Sequence, residues 1–211
     1  MLAGSEENPG VEWPGKETGV KVKVIGVQTS PNLDGLTATM AKRALAGARK
    51  AGAETALIPL RKLEIAACLA CEQGWGRCRR EGLCIIEDDF EKVRGALAES
   101  QALVLSTPVY FGEVSEIAKN FLDRLRRCER AGPGEPRTQG LFVLGIAAAG
   151  GGGGGGPSCQ VIMERYCVTL QWRIFDMMTV TRRSREYMLR AARAAGAALV
   201  EFVRTEAKRA K

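Results

Sequence analysis

The chain contains no histidine among its 211 residues. Without an imidazole there is no Ser-His or Cys-His nucleophile pair, no histidine-ligated zinc and no imidazole proton relay. Chemistry here has to come from thiols, carboxylates, backbone groups or a bound cofactor. Aromatic residues are scarce too, at 6%, and few stand among the arginines where they could stack on bases. No apolar stretch reaches membrane-spanning length. Residues 1–19 are polar, are broken by Pro9 and Trp13-Pro14, and lack the apolar centre of a signal peptide. They read as a flexible leader ahead of one domain over 20–211, and the protein reads as cytoplasmic, with no membrane partner.

What is present fits a globular domain: 45% hydrophobic and 26% charged residues, in a chain long enough to close a substantial core. The net charge is +7. The basic residues are scattered, as in Arg79-Arg80, Arg124-Arg126-Arg127, Arg182-Arg183-Arg185 and the tail Lys208-Arg209-Ala210-Lys211. No nucleic-acid module accompanies them. They read as solvated surface with some attraction for anionic ligands, not as a nucleic-acid site.

From Lys21 the pattern alternates. Strands are predicted at 21–27, 54–60, 102–106, 141–149 and near 173–180. Between and after them lie helical stretches: one with Met40, Ala44, Ala48 and Ala51 on a face, one opened by Asp88-Asp89, and one with Ile117, Phe121, Leu125 and Cys128 in register. Two more follow, over about 158–170 and from about Ser184. Five strands, apolar throughout, alternating with five helices predict an α/β domain with a parallel sheet covered on both faces. In such sheets ligands bind at the carboxyl ends of the strands, where the strand order reverses. The loops after the first, third and fourth strands are therefore the candidates.

The first of these, Gln28-Thr29-Ser30-Pro31-Asn32-Leu33-Asp34-Gly35-Leu36-Thr37, runs straight into a helix. Hydroxyls on Thr29, Ser30 and Thr37, with the free N–H groups of the helix start, can hold a monophosphate without a basic side chain. It is not a Walker loop, because Gly-Lys-Ser/Thr is missing. The second loop, Ser106-Thr107-Pro108-Val109-Tyr110-Phe111-Gly112, puts two aromatics where the surface should be, and a flat apolar ligand would explain them. Aromatics tucked under the next helix would explain them as well. The third is a run of seven glycines, 150–156, whose backbone can approach a ligand closely or simply be loose.

Thr29-Ser30-Pro31 through Gly35-Leu36-Thr37 resembles the phosphate loop of the flavodoxin-like NADPH-dependent FMN reductases, and Thr107-Pro108-Val109-Tyr110-Phe111-Gly112 resembles the segment those proteins wrap around the flavin ring. The cysteine-rich stretch ending in Gly82-Leu83-Cys84-Ile85-Ile86-Glu87-Asp88-Asp89 resembles their iron–sulfur flavoprotein branch. The resemblance implies a flavodoxin-like, doubly wound, five-stranded sheet, bound FMN, and a homodimer or homotetramer. It implies that Ser30, Asn32 and Thr37 surround the phosphate, that Pro108, Val109, Tyr110, Phe111 and Gly112 border the isoalloxazine, and that Gly150 and Gly151 close its far side. The family often carries a basic residue at the position of Asn32 and an asparagine at that of Leu36.

Cys68, Cys71, Cys78 and Cys84 form a C-x2-C-x6-C-x5-C array. Four clustered thiols in a reducing compartment point to metal or redox work. Zinc usually takes two short cysteine knuckles, and only Cys68 to Cys71 is one, which tilts the choice towards a [4Fe-4S] cluster over zinc or free thiols. The cluster-binding relatives have a shorter second gap. Cys128, Cys159 and Cys167 read as helix residues without a partner pattern, the first two on apolar faces.

Three functions remain open. An enzyme would pass electrons from NAD(P)H or a ferredoxin-type donor through FMN to a quinone, flavin or other small acceptor. A carrier would shuttle electrons between flavin and cluster without a small-molecule substrate, its basic surface steering acidic protein donors. A metal-stabilised binding domain would hold zinc and an unrelated phosphate ligand.

Overall fold

The computed structural model describes residues 21–209, so the 1–19 leader lies outside the described residues. Five strands, β1 (Lys23–Gln28), β2 (Glu54–Pro59), β3 (Ala102–Pro108), β4 (Phe142–Ala149) and β5 (Arg173–Thr181), form one sheet in the order β2-β1-β3-β4-β5. Every pairing is parallel. The chain winds outward from β1 to β2, then crosses back over β1 to build β3, β4 and β5 on the other side. The strand order thus reverses between β1 and β3, as the flavodoxin-like expectation requires.

The helices are α1 (Leu36–Lys50), α2 (Arg77–Glu81), α3 (Phe90–Ala98), α4 (Glu116–Arg130), α5 (Gly156–Thr169) and α6 (Arg185–Arg209). Alternating residues of the inner strands point to opposite faces and build two cores. Val24, Val104, Leu144 and Ile146 pack with Met40 and Ala44 of α1 and Leu199 and Val203 of α6. Ile25, Leu105 and Val143 pack with Leu97 of α3, Phe121 and Leu125 of α4 and Met163 of α5. The helices on the first face nearly touch backbone to backbone: a Cβ on Gly196 of α6 would stand 1.9 Å from the carbonyl oxygen of Ala44.

Two expectations need correction. β2 and β5 are not apolar throughout; both keep exposed positions, because they are the sheet's edges and α-helices cover them incompletely. There are six α-helices among the described residues rather than five, since α2 forms one short turn inside the cysteine loop. Asp88 and Asp89 do mark a helix start, but most of their bonds go elsewhere. Asp88 Oδ1 accepts from Phe90 N at 3.0 Å, while Asp89 Oδ2 and Asp88 Oδ2 accept from the backbone N–H groups of Glu64 and Ala66, both at 2.9 Å. Among the described residues no helix is long and apolar enough to cross a membrane.

Candidate functional site

The parallel sheet brings the loops after β1, β3 and β4 to one rim, and hydrogen bonds lock them together. Thr29 N donates to Ser106 O at 3.0 Å and Val109 N to Ala148 O at 3.0 Å, so each loop begins tied to its neighbour. Ser115, the N-cap of α4, accepts from Ala118 N at 3.2 Å and donates to Thr29 O at 2.8 Å. The sequence reading missed this serine. Its position just ahead of the amphipathic Ile117–Phe121–Leu125 stripe was the available signal.

In the β1 loop, Gln28 Nε2 donates to Ser30 O at 3.1 Å and Asn32 O at 3.2 Å. These two bonds fix the path of the loop over Gln28. Ser30 Oγ accepts from Asn32 N at 3.1 Å and keeps its own hydrogen to donate. Asn32 Oδ1 accepts from Asp34 N at 3.2 Å, which leaves its amide nitrogen for a ligand. Thr37 sits in the first turn of α1, buried, and no side chain caps that helix. The N–H groups of the first turn therefore stay available, together with the positive end of the helix dipole. Ser30, Asn32 and Thr37 are thus brought together around an anion-ready helix start. Thr29 is not part of it: it is fully buried and its hydroxyl bonds Ser106 O at 3.3 Å.

In the β3 loop, Tyr110 and Glu113 exchange backbone hydrogen bonds of 3.0 Å across a two-residue turn. The central residues, Phe111 and Gly112, have φ of 52° and 85°, the signs of a type I′ hairpin turn. Glycine or asparagine suits such positions; a phenylalanine there is strained, and Phe111 is also fully exposed. Tyr110 is 39% exposed, so of the two rings only that of Phe111 stands fully in solvent. Val109, Phe111, Gly112, Gly154, Gly155 and Ser158 line an open cleft. Its floor is tight: a Cβ on Gly155 would come within 2.9 Å of Gly112 Cα. Pro108 closes the buried end of β3. Gly150 and Gly151 are at the same rim but not among the lining residues, where Gly154 and Gly155 stand instead. The whole run looked alike in sequence, and only the backbone path singles out its second half. Arg182 and Arg183, both exposed, follow β5 beside this loop.

Cys68, Cys71, Cys78 and Cys84 line a second cavity, with about 370 Å³ of atom-free space counting its opening to solvent. Leu69, Ile85 and Ile86 supply apolar wall, and α4 contributes Arg124, Arg127 and Cys128. The loop is held in an unusual path: Ala70, Glu72 and Gln73 have φ of 46°, 51° and 59°. A Cβ on Gly76 would stand 2.8 Å from Cys71 Sγ, so that glycine makes room for the thiol. Arg124 clasps the loop's flanks, donating to Ala66 O at 3.1 Å, Ile86 O at 3.3 Å and both oxygens of Asp88. Arg127 donates to Gly74 O and lies 4.5 Å over the Trp75 ring. Among the described residues no three cysteine or carboxylate side chains stand close enough to hold a single metal ion.

Burial and the nearby Cys71 push the Cys78 thiol up, and Arg127 opposes them. Burial pushes Cys128 up to about 12, so it stays a neutral thiol. Reading Arg124 as solvated surface is corrected: it is 1% exposed, because its guanidinium is matched by Asp88 inside the fold. Residues 124, 127 and 128 share one face of α4, and that i, i+3, i+4 spacing was the overlooked signal.

Comparison with known proteins gives the chain a family and the fold its neighbours. An iron-sulfur flavoprotein of Methanocaldococcus jannaschii is 36% identical over 105 residues, covering 50% of this chain and 52% of its own. One from Methanosarcina thermophila is 28% identical over 103 residues, covering 49% and 52%. The chain spans about half the length of the curated relatives it matches. Among solved structures, a flavone reductase superposes with a TM-score of 0.68 at 17% identity, over 87% of this chain and 63% of that one. An NAD(P)H:quinone oxidoreductase from Methanothermobacter marburgensis gives 0.67 at 16%, over 85% and 96%. At such identities these two speak for the fold alone. Residues 22–182 match the NADPH-dependent FMN reductase family, and the chain belongs to it.

Proposed function

We propose that the protein is an FMN-dependent oxidoreductase with a [4Fe-4S] cluster in its cysteine loop, taking electrons from NAD(P)H or a ferredoxin-type donor and passing them to a small acceptor such as a quinone or flavin. The observation that carries this reading is the uncapped start of α1 at the β1/β3 reversal, on the same sheet rim as a cleft bordered by a strained, exposed Phe111 turn. The residues fit FMN. Ser30, Asn32, Thr37 and the first-turn amides would hold the phosphate; Pro108 to Gly112 and the Gly154-Gly155 stretch would border the ring. When bound, FMN supplies the capacity to accept a hydride and to release electrons one or two at a time. The chain's task is then to hold and orient it and to shield one side, which needs no acid or base and suits a chain without histidine.

The cysteine cavity also fits its group. Four thiols line one space without converging on a single point, and Arg124 and Arg127 line it with them. That favours a multi-atom cluster over a single zinc ion. Cys68, Cys71, Cys78 and Cys84 would ligate it. A second copy of the chain is the expected partner, because Leu69 (68% exposed), Trp75 (41%) and Ile85 (46%) leave an apolar rim around this cavity.

The test is anaerobic purification followed by FMN titration, iron and sulfide analysis, and steady-state oxidation of NADPH with a quinone acceptor. Yellow-brown protein that binds FMN and turns over supports the reading. FMN and cluster present with reduction only by a protein donor would make it an electron carrier instead. Protein that stays colourless with added FMN would refute both.

A further inference from the structure

Two guanidinium nitrogens at the cysteine cavity lack partners. Arg124 Nε and Arg127 Nε are buried without a hydrogen bond, and both residues line that cavity. A buried N–H on a cation is costly to leave unmatched. Arg204 Nε is also without a partner, but only Arg124 and Arg127 stand at a thiol-lined cavity where a ligand could supply the acceptor. The two arginines differ in what else they do. Arg124 spends its terminal nitrogens on Asp88, Ala66 and Ile86, closing the loop. On α4, Lys119, Arg124 and Arg126 all pair with carboxylates. Arg127 pairs with none among the described residues; it has only Gly74 O and the face of Trp75. Its charge is the one at this cavity that no carboxylate matches.

We propose that Arg127 is the positioning cation of the cysteine site: its guanidinium opposes the negative charge of a cysteine-ligated iron–sulfur centre, donates Nε–H toward its sulfur, and so sets how readily the centre accepts an electron. This rests on the cluster reading above. Reduction adds one negative charge to a centre already carrying four thiolate ligands. A fixed cation and a donor to sulfur favour the more negative state and raise its potential, and partial burial limits screening by solvent. Trp75, stacked on the guanidinium, keeps it in place.

The experiment compares wild type, Arg127→Met and Arg127→Lys after anaerobic reconstitution with iron and sulfide. Cluster content is measured chemically and the midpoint by redox titration followed by electron paramagnetic resonance. At the wild-type midpoint, R127M should show an oxidised-to-reduced ratio about tenfold higher, a downward shift of about 59 mV for one electron. R127K, which restores the charge, should recover part of it. R127M with full cluster content and an unchanged midpoint overturns the inference. Should R127M fail to load, loading of R127K decides: recovery supports a charge requirement, and equal failure overturns it. A merely structural Arg127 would lower the thermal midpoint of the cluster-free protein and leave the potential unmoved. Wild type that takes up no iron and sulfide refutes the cluster reading itself, before any variant is compared.

Discussion

Single atoms decide whether the two sites can hold the groups proposed for them. At the phosphate end, Thr37 brings a hydroxyl into the first turn of an uncapped helix, and a charged acceptor bonded to a neutral donor is worth about 1.5–3 kcal/mol. Thr37→Val should therefore weaken FMN binding roughly tenfold or more, read by fluorescence titration, with little change in the fold. Unchanged affinity would place the phosphate elsewhere. At the cysteine end, Cys78 and Cys128 line the same cavity but differ in kind. Burial pushes both thiols up, Cys128 to about 12, but Cys78 belongs to α2 inside the cysteine loop while Cys128 belongs to α4. Cys78→Ser should abolish iron retention. Cys128→Ala should keep it and cost only stability, about 1–2 kcal/mol for a small buried side chain. Equal iron loss in both variants would contradict the four-cysteine ligand set.

Among the elements, α4 connects the sites. Its N-cap Ser115 ties it to the β1 loop, and twelve residues on, Arg127 reaches the cysteine cavity, about 18 Å along the axis at 1.5 Å per residue. On the opposite face, α1 and α6 meet through Gly47 and Gly196, each of whose Cβ positions lies 1.9 Å from a carbonyl oxygen of the other helix. Gly196→Val must push these helices apart, and overpacking of this kind costs about 1–3 kcal/mol. Gly95, in the middle of α3, has nothing within 4 Å of its Cβ position, so Gly95→Ala should stabilise by about 0.5–1 kcal/mol. Urea unfolding of both variants checks the contrast. Similar losses in the two would mean that the close helix crossing does not govern the effect.

At the scale of the whole molecule, the cysteine loop is joined to the domain through the buried Arg124–Asp88 pair. Burial alone would push the Asp88 carboxyl up, but the Arg124 guanidinium and the backbone amides of Ala66 and Phe90 outweigh it and hold it below its ordinary 3.8. A carboxyl depressed in the folded state contributes stability that is complete above 3.8 and fades as pH falls through its folded value. Asp88→Asn should cost about 3–5 kcal/mol at neutral pH, because it leaves a buried guanidinium without its counter-charge. The variant should also lose stability less steeply than wild type below pH 3.8. Parallel stability curves across the acid range would show that Asp88 does not drive the acid response.

The sequence by itself determined the five strands, their parallel arrangement and the three rim loops, because hydrophobic periodicity and turn residues are local properties of the chain. Spacing within 17 residues also marked Cys68, Cys71, Cys78 and Cys84 as a candidate set, while only the fold added Cys128 to the cavity they line. Only the tertiary structure decided which loop atoms remain free. Thr29 spends its hydroxyl on Ser106, Gly154 and Gly155 rather than Gly150 and Gly151 line the cleft, and Arg124 is buried against Asp88. Those outcomes depend on partners 77 and 36 residues away for Thr29 and Arg124. Whether a polar group serves the fold or a ligand is settled by what packs across from it, and no local pattern records that.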